Sequence, residues 1–440
     1  MLLELACSSI RHLQQADRLT GRSSMMDRIV RSLIIVVLSI SLLFGVPSCA
    51  EEITELEETP APLTTEDYTL ITPVGDNHAY LIDMDGNLAH KWELSGKSAR
   101  VVYLLENGNL LASYHVPSDY FTLPDFAGGG IEILDWEGNQ VWSYELSNEQ
   151  YSTHHDVELM PNGNILTIAY ERIVGADAID MGFDSRVIDT YGAVWSEAVF
   201  EIDPETSSIV WKWHVKDHLL PIGYDAKEYP YLINPRYPEE RRSEDWLHLC
   251  SIDYHEELDQ ILLSAFITNE ILVIDHSIST EEAEGPAGDL LFRWGNPEAY
   301  GESGKQMLFS QHNAQWIDPE SANSNILLFN NGNPVDRTYS TVMELKLNPE
   351  NSYQSSDVEA IWEYGDDRDE EQFFSYTISG VQRLSNGNTL ICSGMEARVI
   401  EIDSAGEKVW EFTNTEYGKA MGERRFHLFR AERYCLDLSS

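Results

Sequence analysis

The chain is short of basic residues, of cysteine and of long apolar runs, and each shortage narrows what it can be. Against 74 Asp and Glu it carries only 29 Lys and Arg, a formal charge of −45. A surface of that sign repels phosphate backbones and anionic headgroups, which excludes nucleic acid and a purely electrostatic membrane partner. The acidity itself reads as a solvated coat. An anionic substrate is admissible only where a local cation or dipole overturns the field. Five cysteines in 440 residues, widely spaced, leave no CxxC metal or redox motif and no disulfide framework. What remains is a 42% hydrophobic chain long enough to bury a large core, in two or three domains unless it is repetitive.

The one notable apolar run, Leu33 to Val46, is too short to span a bilayer comfortably and has the shape of a signal h-region, with Arg28 and Arg31 ahead of it. It ends in "VPSC", where Val46, Ser48 and Cys49 resemble a bacterial or archaeal lipobox, so Cys49 is expected to be lipidated and to begin the mature chain. Met25 or Met26 makes a better start than Met1, since an n-region normally opens a chain. The acidic, Pro/Thr-rich stretch after Cys49 has almost nothing to bury and reads as a tether. The expected organisation is a signal peptide over 1–48, a flexible lipoprotein tether over 49–67 and one domain over 68–440. That places the protein in the cell envelope, anchored to a membrane by lipid and facing the periplasm or the exterior.

From Ala79 one theme recurs: a β-rich run ending in Asp, a turn, a strand ending in Trp, then a strand pair around an Asn-Gly or similar turn. "AYLIDMDGNLAHKW" with "VVYLLENGNLLASY" is the first copy, and "RVIEIDSAGEKVWEF" closing on "FHLFRAERY" is the sixth. Asn-Gly and Asp-Gly between alternating apolar residues are strong hairpin signals. Six four-stranded copies predict an all-β fold, a six-bladed β-propeller with a central channel. The tryptophans are expected between blades. "YTLITPV" and "FHLFRAERY" are left over to close the ring jointly. Insertions at about 217–243 and 278–308 are expected on one face.

At the same place in the repeat three copies carry histidine: "HHD", "HLC" and "QHN", giving His155, His248 and His312. Equivalent positions in a propeller converge on the channel, and three converging imidazoles are improbable as packing alone. They could ligate a metal, with Asp156 the evident second-shell carboxylate. Alternatively one could attack an electrophilic phosphoryl or sulfuryl centre while the others donate to the developing anion and leaving oxygen. Spacing does not decide between them.

The blocks "HHDVELMPNGNIL", "WLHLCSIDYHEELDQILLSAFITNEILVIDHS", "GPAGDLLFRWGNPEAYG", "FSQHNAQWI" and "SGVQRLSNGNTLI" resemble, in order, those of the arylsulfotransferase family of bacterial and archaeal envelope proteins. The resemblance runs from about Tyr68 to Tyr434. It implies a sulfuryl group passed from an aryl sulfate to a phenol, both small molecules, without a nucleotide donor, through a sulfated histidine. His312 inherits the nucleophile's role, His248 one on the transferring oxygens or leaving group, and His155 a supporting position with His154 as its substitute. Asn313 and Ser379, inside the matching blocks, join the substrate-binding set. No metal and no cofactor is implied. Two positions depart from the family pattern: Cys250 stands where an amide donor is usual and Phe266 where an arginine is. Both are counted with the substrate-binding residues, and they favour the alternative of a noncatalytic ligand-binding propeller lipoprotein. A quinone-dependent dehydrogenase propeller is the third possibility, without an evident calcium-ligand cluster.

Overall fold

Alternating apolar residues punctuated by Asn-Gly and Asp-Gly turns fold here into six four-stranded antiparallel sheets. The computed structural model describes residues 66–438 apart from 97–98, 122–127, 182, 184, 220–243, 301, 348–357, 366–372 and 419–425. The expected signal peptide, Cys49 and nearly all of the tether lie outside the described residues, as does most of the insertion at 217–243. Among the described residues no helix is long and apolar enough to cross a membrane.

In most of the sheets the first strand is largely buried and the last is half-exposed, the outer strand of the fourth blade, Phe292–Trp294, being buried as well. Tyr151–Leu159 buries most of its length, whereas Gln140–Glu145 alternates between exposed and half-buried positions. Side chains of the first strands meet across the middle, so those strands line the channel. They are Leu428–Leu436, Ala99–Leu104, Tyr151–Leu159, Leu249–His255, His312–Trp316 and Gly380–Arg383, for the first to sixth blades. The six-bladed propeller read from the repeats is the observed fold.

The repeat is, however, out of phase with the blade. "AYLIDMDGNLAHKW" forms the two outer strands of the first blade, and "VVYLLENGNLLASY" the two inner strands of the second. The phase follows from closure: Leu428–Leu436 pairs antiparallel with Glu66–Pro73, so the last strand supplies the inner edge of the first blade. The two leftover segments do join, and both exposed edges disappear.

Antiparallel order sorts the connections between two ends of the channel. Turns joining first to second and third to fourth strands share one end, including those with Gly108, Gly163 and Gly387, each at positive φ that glycine alone adopts without strain. The insertion within 278–308 divides accordingly. Its first part precedes the fourth-blade outer strand Phe292–Trp294 and lies at that hairpin end, while its second part lies at the opposite end. The expectation of one face is therefore corrected. Two short helices, Gly175–Asp180 and Ser185–Tyr191, between the second and third strands of the third blade, were not foreseen.

Outer-strand tryptophans tie blade to blade. Trp92 Nε1 donates to Asp135 O at 3.1 Å, Trp211 to Ile278 O at 2.9 Å and, across the seam, Trp410 to Met84 O at 2.8 Å. Between the third and fourth blades Ile168, Trp211, Leu263 and Leu272 share one buried cluster, each such side chain contributing about 1.5–3 kcal/mol.

Candidate active site

The channel-lining strands break their pairing register near one end. The slip falls between Ala99 and Val102, His154 and Val157, Leu249 and Ser251, and His312 and Gln315. A bulge of this kind re-aims side chains that would otherwise stay in the sheet. His155 and Asn313 inside their bulges, and His248 just before its own, adopt left-handed φ of 53°, 49° and 55°. Histidine and asparagine tolerate that conformation better than most residues. The three histidines are close but not equivalent in register: His312 shares the place of His154, and His155 that of Asn313.

Together they form a train of rings. His154 and His155 face each other through Nδ1 atoms 2.8 Å apart, so one ring donates to the other. The His155 and His248 ring centres are 4.5 Å apart, His248 to Phe266 is 5.3 Å, and Phe266 to His312 is 5.0 Å. The sequence-predicted constellation is thus assembled, with Phe266 as a wedge between two of its imidazoles. Burial holds the pKa of His154 and His155 well below the ordinary value, and neighbouring charge on His248 and Arg100 adds to it. Both rings are neutral at pH 7.

His312 is held on both sides. Asn331 Nδ2 donates to Ser375 O at 2.6 Å and Ile378 O at 2.8 Å, which turns Asn331 Oδ1 toward His312 Nδ1 at 2.9 Å. His312 therefore carries its proton on Nδ1, and its Nε2 lone pair accepts from the Ile378 N–H at 3.2 Å. Ile378 has φ of 53°, a strained state for a β-branched residue, next to Ser379 at 90°. His248 is fixed differently: its Nδ1 lies 2.5 Å from Asp245 Oδ2 and 3.2 Å from Tyr170 Oη. Burial and the nearby acids Asp245 and Glu197 raise the Tyr170 pKa far above its ordinary value, so it remains a phenol. The His248 side chain keeps 22% exposure, while its Nδ1 is committed to Asp245 and Tyr170.

The other predicted residues are accounted for as follows. Asp156 does not serve the histidines. It pairs with Arg430 at 3.0 Å and accepts from Tyr103 at 2.9 Å and Ile252 N–H at 3.3 Å, pinning the first four blades together beneath His155. Cys250 is fully buried, with Sγ directed to Gln311 O at 3.3 Å, and burial pushes its thiol pKa up to about 12. Asn313 Oδ1 accepts from Val381 N–H at 2.8 Å in the next blade, where Gly380 leaves room: a Cβ there would sit 2.8 Å from that oxygen. Ser379 Oγ donates to Ser375 Oγ at 2.7 Å and accepts from Gly394 N–H at 3.0 Å. Among the described residues no three His, Cys, Asp or Glu are grouped to hold a metal ion. Sequence reasoning missed Asp245, Tyr170, Asn331 and Ile378. Only Asp245, three residues before His248 in "DWLH", left a readable trace.

Further down the channel three half-buried carboxyls gather on inner strands. Burial, aided by repulsion from Asp156, pushes Asp253 and Glu432 up to about 7, and burial with repulsion from Asp253 raises Glu158 well above the carboxylate range. The folded state thus binds protons that the unfolded chain releases near pH 4. These groups weaken the fold fully above about pH 7, and the penalty fades as pH falls from there toward about 4. Glu432→Gln is accordingly expected to raise the melting temperature at pH 8 by about 2 °C or more and to change it little at pH 5, in paired calorimetric scans. The paired comparison removes the opposite trend from His154 and His155, whose low pKa values cost stability on acidification. An equal shift at both pH values would contradict this assignment.

The channel thus holds one tautomer-locked imidazole and a second imidazole backed by a carboxylate. The chain belongs to the arylsulfotransferase (ASST) family, whose model matches residues 54–426. At the level of the family it is an aryl sulfotransferase, and aryl sulfates and phenols are substrates that suit it. No curated protein matches. Among solved structures, a protein of unknown function from Bacteroides caccae is 14% identical with a TM-score of 0.48, covering 83% of this chain and 98% of its own. A catalytically inactive virginiamycin B lyase from Staphylococcus aureus with quinupristin is 10% identical with a TM-score of 0.39, over 80% and 86%. A 6-phosphogluconolactonase-like protein from Bacteroides uniformis is 10% identical with a TM-score of 0.40, over 84% and 85%. These likenesses are too distant to bear on function.

Proposed function

We propose that the protein moves a sulfuryl group from an aryl sulfate to a phenol through a sulfohistidine on His312. The supporting observation is the lock on His312: Asn331 holds the proton on Nδ1, so the nucleophilic lone pair lies on Nε2, which exchanges the Ile378 N–H for sulfur when it attacks. In the first half-reaction Nε2 attacks sulfur, the aryl O–S bond breaks, and the departing phenolate takes a proton from His248. In the second, the acceptor phenol returns a proton to His248 as its oxygen attacks sulfur and the N–S bond breaks. Protons and charge balance over the cycle without a nucleotide. Asp245 orients His248 throughout by taking its Nδ1–H.

Phe266 between the imidazoles and the inward Cys250 thiol are what favour the binding-propeller alternative. One assay separates the two. The transferase releases phenol from a chromogenic aryl sulfate at a rate that depends on an added phenolic acceptor. Saturable binding of the aryl sulfate with no acceptor-dependent release would leave only the binding reading.

The envelope location is part of the same proposal and rests on the lipobox-like run ending at Cys49. Mass spectrometry of the membrane fraction is expected to find an acylated peptide beginning at Cys49, and a mature chain starting elsewhere would refute the anchor.

A further inference from the structure

Two imidazoles whose Nδ1 atoms lie 2.8 Å apart cannot both donate there, so a group beyond His154 and His155 must decide which of them does. We infer that Glu197 is a positioning residue for the sulfuryl site: it carries a proton, donates it in a hydrogen bond to His154 Nε2, and through His154 fixes the N–H of His155 on Nε2, as a donor to the sulfuryl oxygens. The inference rests on the sulfotransferase reading for what that donor meets.

Glu197 stands on Ala193–Asp203, the third strand of the third blade, opposite Tyr170, whose ring stacks on His154 with 3.8 Å between centres. The stack fixes the plane of the His154 ring. Glu197 Oε1 receives the Leu249 N–H of the fourth blade at 2.7 Å and lies 3.4 Å from His154 Nε2. Both side chains are shut off from water. Among the described residues His154 Nε2 and Glu197 Oε2 are buried polar atoms with no hydrogen-bond partner.

Two proton arrangements fit these positions. With Glu197 ionised, His154 gives its Nε2–H to the carboxylate, His155 gives its Nδ1–H to His154, and a bare lone pair is left on His155 Nε2. With Glu197 protonated every bond runs the other way, and His155 Nε2 carries an N–H. Charge selects the second arrangement. The charge that bears on Glu197 is that of Asp245, and the His154 ring is neutral, so an ionised Glu197 would be a buried anion beside another, offset only by the Leu249 N–H. Burial, with the repulsion from Asp245, accordingly pushes its pKa well above the carboxylate range. The proton also answers both orphaned atoms: after a small turn of the carboxyl its hydroxyl gives to His154 Nε2, while the carbonyl oxygen keeps the Leu249 N–H.

With His155 Nδ1 taken by His154, Nε2 is the ring nitrogen left for the channel. A lone pair there would repel the oxygens of a sulfate monoester, whereas an N–H holds them. The His155 ring lies 4.5 Å from that of His248, so a fixed donor stands beside the proton carrier. His155 keeps its proton through both half-reactions while His248 exchanges its own.

The test uses the full chain with isotopically labelled histidine nitrogens. Long-range proton–nitrogen spectra are expected to show His155, identified by the signals lost in His155→Gln, protonated on Nε2 and bare on Nδ1. The opposite tautomer, or an even mixture of the two, overturns the assignment. In turnover of 4-nitrophenyl sulfate with a phenolic acceptor, Glu197→Leu is expected to be slower by about 10²-fold, the loss typical of one donor to a developing anion. Glu197→Gln keeps an N–H for His154 Nε2 and an acceptor for Leu249 without ever being charged, and should recover at least about 10-fold of that loss. A Gln variant as slow as the Leu variant would mean that Glu197 acts as an anion, and overturns the assignment. If Glu197→Leu fails to fold, the wild-type tautomer decides alone. A wild type with the Nε2 proton on His155 but no turnover of aryl sulfate keeps the lock and removes the transferase reading.

Discussion

His312→Ala is expected to lower aryl-sulfate turnover by about 10⁴-fold or more while still giving a protein that unfolds cooperatively. Alanine forfeits the bonds to Asn331 Oδ1 and the Ile378 N–H, so some stability is lost as well, but the collapse in turnover comes from losing the Nε2 lone pair whose tautomer Asn331 fixes. Wild-type protein mixed with donor and no acceptor should gain one sulfuryl mass on the peptide containing His312. His155→Ala and His248→Ala should fold and react slowly, since each assists and neither bonds to sulfur. Sulfuryl label on any other residue would move the nucleophile elsewhere.

Deleting residues 425–440 is expected to abolish cooperative melting altogether. The lost segment includes Leu428–Leu436, the inner strand of the first blade. With it go the pairing to Glu66–Pro73, the Arg433 bonds to Thr69 at 3.0 Å and Glu401 at 3.0 Å, and the Tyr434 hydroxyl that receives Leu104 N–H at 3.1 Å. A subtler variant, Arg430→Gln, leaves Asp156 buried without its ion-pair partner and should cost about 3–5 kcal/mol in denaturant titrations. A truncated chain that unfolds like the parent would show that the last strand is an ornament on a ring already closed.

What the sequence made legible was whatever repeats. Asn-Gly hairpins, terminal tryptophans and the recurring histidine position all report on the blade, because each blade solves the same packing problem. The blade count, the closure and the meeting of His155, His248 and His312 follow from that repetition. Its phase was not readable, since a repeat can be cut at any strand, and only the pairing of Glu66–Pro73 with Leu428–Leu436 chooses the cut. The second layer of the site was harder still. Asn331 reaches His312 from just past the end of the neighbouring strand, Tyr170 reaches His248 across 78 positions, and Arg430 reaches Asp156 across 274. Such distances in sequence leave no periodic signature. Asp156 shows the resulting error: adjacency to His155 suggested a partner for the imidazoles, whereas backbone alternation turned it to the other side of the strand and into the ion pair.

The seam where Thr69 meets Arg433 joins residues 364 positions apart. Fastening it confines the whole intervening chain, at an entropic cost on the order of 5 kcal/mol. In return the six sheets behave as staves drawn together by a hoop. The bore of such a vessel belongs to no single stave: loosening the hoop anywhere widens it everywhere. His155, His248 and His312 sit on three different staves, so their spacing is gauged by the tightness of the closure, whose last strand reaches across to Asp156 beneath His155. Displacements of about 1 Å can cost 10²-fold in rate. The strand most remote from the chemistry in chain order thereby acts as its calibration.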